Sequence, residues 1–464
     1  MDDSMTENTI LIEKGWVVTV DDARAVHREG YVFISGDSIQ AVGGGSPPAD
    51  LRQRAKTVID ASRMVVMPGM INAHNHLFQS FLRGLCIDKP LLEWVQGVIW
   101  PLAPSFRGEE AYWAAMIGLI ENLYSGSTGT IDNQYIHPEH TVDDGIYRAA
   151  RDTGMRLNLA YGWGDINYFP PLHQTIEEII AESTRLYETY HGTENGRLRF
   201  ENGPVIPWGC SEEGMLRVFE LARRWGVGSH LHVAETKAEV DINIRDRGSR
   251  HIEWLAKLGI LGPDVQLVHS VWVDDREMEL MAESGSVVVH CPLSNMTMGT
   301  APARVTEMHR MGIDVALASD GSASNNAQDM FEEMRGALML ARTTSVDPMA
   351  LMPSDVLWMA CRGGAKAFGQ PDLLGALAPG RKADVVLVDM WRPESVPLHD
   401  PLPALVFQHG GRMVNTVIVD GRVLVREGQL TFIDEQEVLR EAQKACASLY
   451  KRAGLPYEPL PLNK

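Results

Sequence analysis

Short apolar runs punctuate the chain from end to end, and their texture changes twice. Near the start they are brief and closely spaced, at residues 9–20, 31–35 and 38–42, with Gly36-Asp37 supplying a hairpin turn between the last two. The same texture returns late, at 383–389, 413–420 and 422–426, where Asp420-Gly421 is a turn. Residues 435–449 then carry apolar positions at helical spacing, which predicts a terminal helix. Two β-rich ends around a longer middle predict one small sheet domain assembled from both termini.

The middle alternates differently. Strand-length apolar runs occur at 64–72, 128–131, 156–160, 198–206, 228–233, 265–268, 286–289 and 314–318. Helical patterns separate most of them, at 110–124, 141–153, 175–190, 212–224 and 274–284. Eight buried strands alternating with helices, over close to the ~250 residues of a TIM barrel, predict an α/β fold with a (β/α)8 barrel. The competing fold is an open doubly wound sheet, but no glycine-rich dinucleotide turn follows the first strand. The expected division is 1–63 with 377–432 as a composite β-sandwich, 64–376 as the barrel, and 433–464 as a C-terminal helix and tail.

Polar residues break this pattern where strands give way to loops. His74 and His76 follow the first run, and alternate residues of a strand face one side, so both imidazoles can reach one metal. His230, His232 and Glu235 end the fifth run, His269 the sixth, and His290-Cys291-Pro292 the seventh. Asp320 follows the eighth. In a barrel these are the C-terminal strand ends, where active sites lie. One such histidine reads as a satisfied core residue; five strand ends carrying His or Asp read as a metal site. Neutral imidazoles with one carboxylate suit zinc first and Fe(II) second. No GxSxG elbow and no HExxH helix offers an alternative chemistry.

The chain has 464 residues, of which 45% are hydrophobic and 22% charged, an ordinary globular composition. A net charge of −19 argues against nucleic-acid binding, which needs a basic face. No run approaches the ~18 apolar residues of a membrane span. Met1-Asp2-Asp3-Ser4 is acidic where a secretory signal is basic. Cys86, Cys210, Cys291, Cys361 and Cys446 form no CxxC pair, and an odd number of thiols predicts a reducing, cytoplasmic setting.

Taken together, Pro68-Gly69-Met70-Ile71-Asn72-Ala73-His74-Asn75-His76, His232-Val233-Ala234-Glu235, His269, His290-Cys291-Pro292-Leu293-Ser294-Asn295 and Asp320-Gly321-Ser322-Ala323-Ser324-Asn325 resemble the amidohydrolase superfamily. The branch resembled holds atrazine chlorohydrolase, 8-oxoguanine and isoxanthopterin deaminases, and S-adenosylhomocysteine/methylthioadenosine deaminase. The segment Gly380-Arg381-Lys382-Ala383-Asp384-Val385-Val386-Leu387-Val388-Asp389 also matches. The resemblance implies one divalent metal per subunit on His74, His76, His232 and Asp320, Glu235 as proton shuttle, and His269 polarising the reacting group. His230 is expected behind the ligands. Binuclear members bridge two metals with a carbamylated lysine after the fourth strand; here no lysine lies between Lys89 and Lys237, which favours a mononuclear site.

The activity implied is an aminohydrolase: a metal-activated water replaces an exocyclic amine on a purine, pterin, pyrimidine or triazine ring and releases ammonia. Alternatives within the family are displacement of chloride, thioether or alkylamine from an s-triazine, and deamination of adenosine derivatives. Expected ring contacts are Phe78, Gln79, Trp94, Asn133, Trp163, His290, Asn295 and Ser324. Tyr161-Gly162-Trp163 stands where adenosylhomocysteine deaminases carry a carboxylate-binding arginine, so that substrate is disfavoured. Gly321 follows Asp320, as in the deaminases, where atrazine chlorohydrolase has asparagine. The family also implies a homodimer or larger homo-oligomer.

Overall fold

The computed structural model describes residues 8–85, 88–408 and 410–456. The acidic leader, Cys86 and the tail histidine His409 fall outside them. Eight strands form one parallel sheet in sequence order: Met70–Asn75, Ser127–Gln134, Arg156–Trp163, Leu198–Pro204, Ser229–Val233, Val265–His269, Val287–His290 and Val315–Leu317. Strands and helices alternate as the apolar pattern demands, because a parallel strand buried on both faces needs a helical return. The eighth strand closes on the first through the Asp320 N–H, which donates to His74 O at 3.1 Å, and the Ser319 N–H, which donates to Asn72 Oδ1 at 3.0 Å.

The two termini build a second, nine-stranded sheet. Its central strand, Met64–Pro68, runs antiparallel to Val385–Asp389 on one side and parallel to Thr9–Val18 on the other. Val26–Ser35 and Ser38–Gly44 extend one end; Val414–Val419, Arg422–Arg426 and Gln429–Leu430 extend the other. Ile10, Ile34, Ile39, Val385 and Ile418 share one buried cluster, so the sheet folds over a core of its own. A bridge between Ser38 and Lys382 closes the fold. The predicted terminal helix is Glu435–Ala453, started by Asp434, whose side chain accepts from the Gln436 N–H. No helix among the described residues is long and apolar enough to cross a membrane.

One expectation changes. The apolar run 64–72 reads as a single barrel strand, but Met64–Pro68 belongs to the terminal sheet and only Met70–Asn75 to the barrel. Both stretches are buried on both faces, so periodicity carries no mark of the switch. Gly69 makes it possible: a Cβ there would lie 2.2 Å from Thr128 Oγ1.

A buried ionic cluster fastens the sheet to the barrel floor, opposite the strand ends that carry the histidines. Arg156, first in the third barrel strand, donates to both Asp384 oxygens at 2.8 Å and to Asp420 Oδ1 at 3.0 Å. Arg197 donates to Asp420 Oδ2 at 2.9 Å. Asp384 of the 380–389 motif thus docks the sheet on the barrel. Inside the barrel, Asn158 donates to Glu201 Oε2 at 2.6 Å, and burial pushes the Glu201 carboxyl up to about 8.

Candidate active site

The strand-end residues converge at the C-terminal mouth of the barrel. His232 Nε2 lies 3.3 Å from His76 Nε2, and Asp320 Oδ1 lies 3.3 Å from His74 Nε2 and 3.4 Å from His76 Nε2. His74, His76 and His232 offer ligand atoms within 4.8 Å of one another, as do His74, His269 and Asp320; either group could hold a metal ion. His74 Nε2 is buried with no hydrogen-bond partner among the described residues, which a metal bond there would remedy.

Each of the three clustered imidazoles is fixed from behind. His74 Nδ1 lies 2.7 Å from His230 Nε2, His76 Nδ1 lies 2.7 Å from Asn133 O, and His232 Nδ1 lies 2.8 Å from Val205 O. Every Nε2 is thereby turned to one point, the arrangement that ligand histidines need. Burial pushes the pKa of His74, His76, His232 and His269 down, leaving neutral rings with lone pairs to donate. Burial opposes ionisation of Asp320 as well, but the neighbouring His74, His76 and His269 together outweigh it and hold the carboxyl well below its ordinary range.

Asp320 is itself gripped. Ser294 Oγ donates to Asp320 Oδ2 at 2.6 Å, Ser324 Oγ at 3.0 Å, and the Gly321 N–H donates to Oδ1 at 2.6 Å. Ala234, His269, Ser270 and Asp320 all have positive φ, between 48° and 68°, a conformation costly for residues with a Cβ. Such strain at the ends of the fifth, sixth and eighth strands accompanies the convergence of their side chains.

Glu235 is buried at the edge of this centre, its Oε2 3.6 Å from His269 Nε2. Burial first, then the charges of Glu239 and Asp320, push its pKa well above the ordinary value. His269 is oriented by Asn295, whose Oδ1 lies 3.1 Å from His269 Nδ1.

A cavity of about 380 Å³ opens over these groups. His76, His232, Glu235, His269 and Asp320 form its floor, with Ser324 beside them and Trp94 in the wall. Trp100, Tyr135, Tyr168, Trp208 and Glu239 also line it. Trp100 stacks on Phe169 with ring centroids 5.0 Å apart, joining the loop after the first strand to the loop after the third.

The remaining predicted contacts stand behind the cavity surface. Gln79 is fully buried, donating to Tyr135 Oη at 3.0 Å, and its amide occupies the space a Cβ at Gly321 would take. Phe78 packs edge-on to Tyr135, Asn133 holds His76 through its carbonyl, and the Trp163 indole donates to Asn202 Oδ1 at 2.9 Å. His290 is buried, its pKa pushed down to about 3 by burial, and Asn295 serves His269. Sequence reasoning overlooked Trp208, Tyr168 and Glu239. Only Glu239 had a sequence signal, Thr236-Lys237-Ala238-Glu239, which reads as a helix capping box and so as structural.

Against known proteins, residues 65–424 match the model of the amidohydrolase family. The chain is 36% identical over 448 residues to a 5'-deoxyadenosine deaminase of Methanosarcina mazei, covering 96% of this chain and 99% of that protein. It is 36% identical over 444 residues to a 5-methylthioadenosine/S-adenosylhomocysteine deaminase of Pelotomaculum thermopropionicum, with coverage of 96% and 99%. Among solved structures, an adenosine deaminase from Xanthomonas campestris with bound zinc superposes with a TM-score of 0.88 at 29% identity, over 95% of this chain and 98% of that one. A variant of the atrazine chlorohydrolase from Arthrobacter aurescens, with zinc and atraton, gives 0.89 at 25% identity, over 94% and 100%.

Proposed function

The chain belongs to the amidohydrolase family, and from that premise we propose a metal-dependent aminohydrolase that replaces an exocyclic amine of a nitrogen heteroaromatic ring and releases ammonia. The observation that carries this reading is the pairing of a convergent His and Asp set with one buried carboxyl, Glu235, raised in pKa and facing the same cavity. Relatives named for adenosine derivatives put adenine nucleosides first among the rings to test.

His74, His76, His232 and Asp320 would hold one divalent metal per subunit, zinc before Fe(II). Bound there, it supplies the Lewis acidity that brings the pKa of a water toward ~7. Glu235 gives its proton to a ring nitrogen, which makes the adjacent carbon electrophilic, and Asp320 takes the proton of the attacking water. His269, fixed by Asn295, faces the developing tetrahedral carbon. Asp320 passes the water's proton to the amine, which departs as ammonia, while the hydroxyl proton of the tetrahedral carbon returns to Glu235 as the C=O forms. General acid–base work of this kind contributes ~10²–10⁴-fold.

The test is an ammonia-release screen of the zinc-loaded protein across aminated purines and their nucleosides, pterins, pyrimidines and triazines. Ammonia from at least one ring is expected. Release of chloride or alkylamine without ammonia would favour the triazine-hydrolase alternative. The family's habit of homo-oligomers is tested by light scattering.

A further inference from the structure

The cavity holds a second acid that the proposed chemistry does not use. Glu239 is only 1% exposed, yet it lines the cavity with Glu235, four residues earlier in the chain. It is the third residue of helix Lys237–Arg247, and Thr236 is the N-cap. Both hydrogen bonds it receives from Thr236, from N–H and from Oγ1, are 2.9 Å long and go to the same oxygen, Oε2. The Trp208 indole N–H lies beside the carboxylate. Among the described residues Oε1 receives no hydrogen bond, and it is left to the cavity. A cap needs one oxygen; a buried carboxylate with the other unused is an acceptor awaiting a donor.

We propose that Glu239 is a specificity-determining residue whose Oε1 accepts a hydrogen bond from an uncharged N–H or O–H of the substrate, away from the leaving amine. This rests on the aminohydrolase reading and deepens it: the preferred ring carries a donor on that side. The donor can belong to the heterocycle, as a second amino group, or to an attached sugar, as a hydroxyl. Aromatic walls such as Trp94 and Trp208 hold the ring plane but do not distinguish such substituents; a fixed carboxylate does, because an analogue without the donor leaves a buried acceptor unpaired.

The test uses zinc-loaded protein and two substrate pairs, 2,6-diaminopurine against adenine and 5'-deoxyadenosine against its 2',3'-dideoxy analogue. The measured quantity is the ratio of kcat/KM within each pair. Glu239→Gln keeps the capping box, which accepts Gln at this position, and should lower the ratio roughly 5–10-fold in one pair through KM. Glu239→Ala should lower it about 10–100-fold in the same pair, with the thermal midpoint of Glu239→Gln reporting that the helix cap is intact. The pair that responds identifies the donor as ring or sugar. If the wild type turns over these compounds and both variants leave both ratios unchanged, the assignment of Glu239 falls alone. If the wild type neither binds nor deaminates any of them, the assignment falls together with the nucleobase reading on which it rests.

Discussion

Ser294 Oγ donates to Asp320 Oδ2 at 2.6 Å, and this bond turns Asp320 Oδ1 toward His74 and His76. Ser294 comes from the short helix Pro292–Met298 after the seventh strand and Asp320 follows the eighth, so the contact ties the ends of two neighbouring strands at the floor of the cavity. Ser294→Ala is expected to lower zinc affinity or kcat by about 10–100-fold, the usual effect of losing a group that orients a ligand. Zinc titration against a competing chelator, alongside kcat, measures it.

Glu235→Gln keeps the shape of the side chain and removes the proton it carries. Turnover should fall by at least ~10²–10⁴-fold while zinc stays bound at the wild-type level. Ammonia release and metal content, measured on one preparation, check both halves.

Stripping the metal should abolish ammonia release, and added zinc should restore it. Zinc binding the native centre but not the unfolded chain raises stability by about 2.7 kcal/mol at a hundredfold excess over Kd. A thermal midpoint that climbs with zinc, and does not climb in His232→Ala, is the expected record.

Arg156 sits between Asp384 and Asp420 with almost no solvent contact. Arg156→Met leaves two buried carboxylates without their main partner and should cost about 3–5 kcal/mol. Urea unfolding gives the figure, and the same loss should not follow replacement of an exposed ion pair such as Lys237–Asp241.

Glu201 gives a pH signature. Its folded pKa of about 8 lies above the ordinary carboxyl value, so the folded state keeps a proton that the unfolded chain releases. Stability should therefore fall as pH rises from the carboxyl range to about 8, then level off. Glu201→Gln removes that slope, and the variant should gain stability relative to wild type at pH 8 compared with pH 5, by on the order of 1–4 kcal/mol. Urea midpoints at the two pH values measure the difference.

The legible part of this molecule was the part governed by strand geometry. His74 and His76 share a face because alternate residues do, and His232 and His269 lie one register step apart because parallel pairing brings the ends of their strands together. The cavity wall obeys no such period. Trp208 reaches it from a short turn after the fourth strand and Tyr168 from a loop whose position depends on the Trp100–Phe169 stack. Such contacts join residues far apart in sequence and leave no local mark. Gln79 shows the reverse case: it follows the histidine pair closely, yet the absent side chain of Gly321 gives it room to turn inward.

Gly69 is the first of two crossings between the sheets, the other running from Ala367 to Val385, and it is the tighter one, a single residue between Met64–Pro68 and Met70–Asn75. Its N–H donates to Asp384 O at 3.0 Å, and the buried arginine cluster grips the same segment. A junction of one clamped residue cannot act as a hinge. The small sheet is fastened on the side of the barrel away from the histidines, while loops above the strand ends wall the cavity, so segments of the wall can be exchanged without touching the clamp.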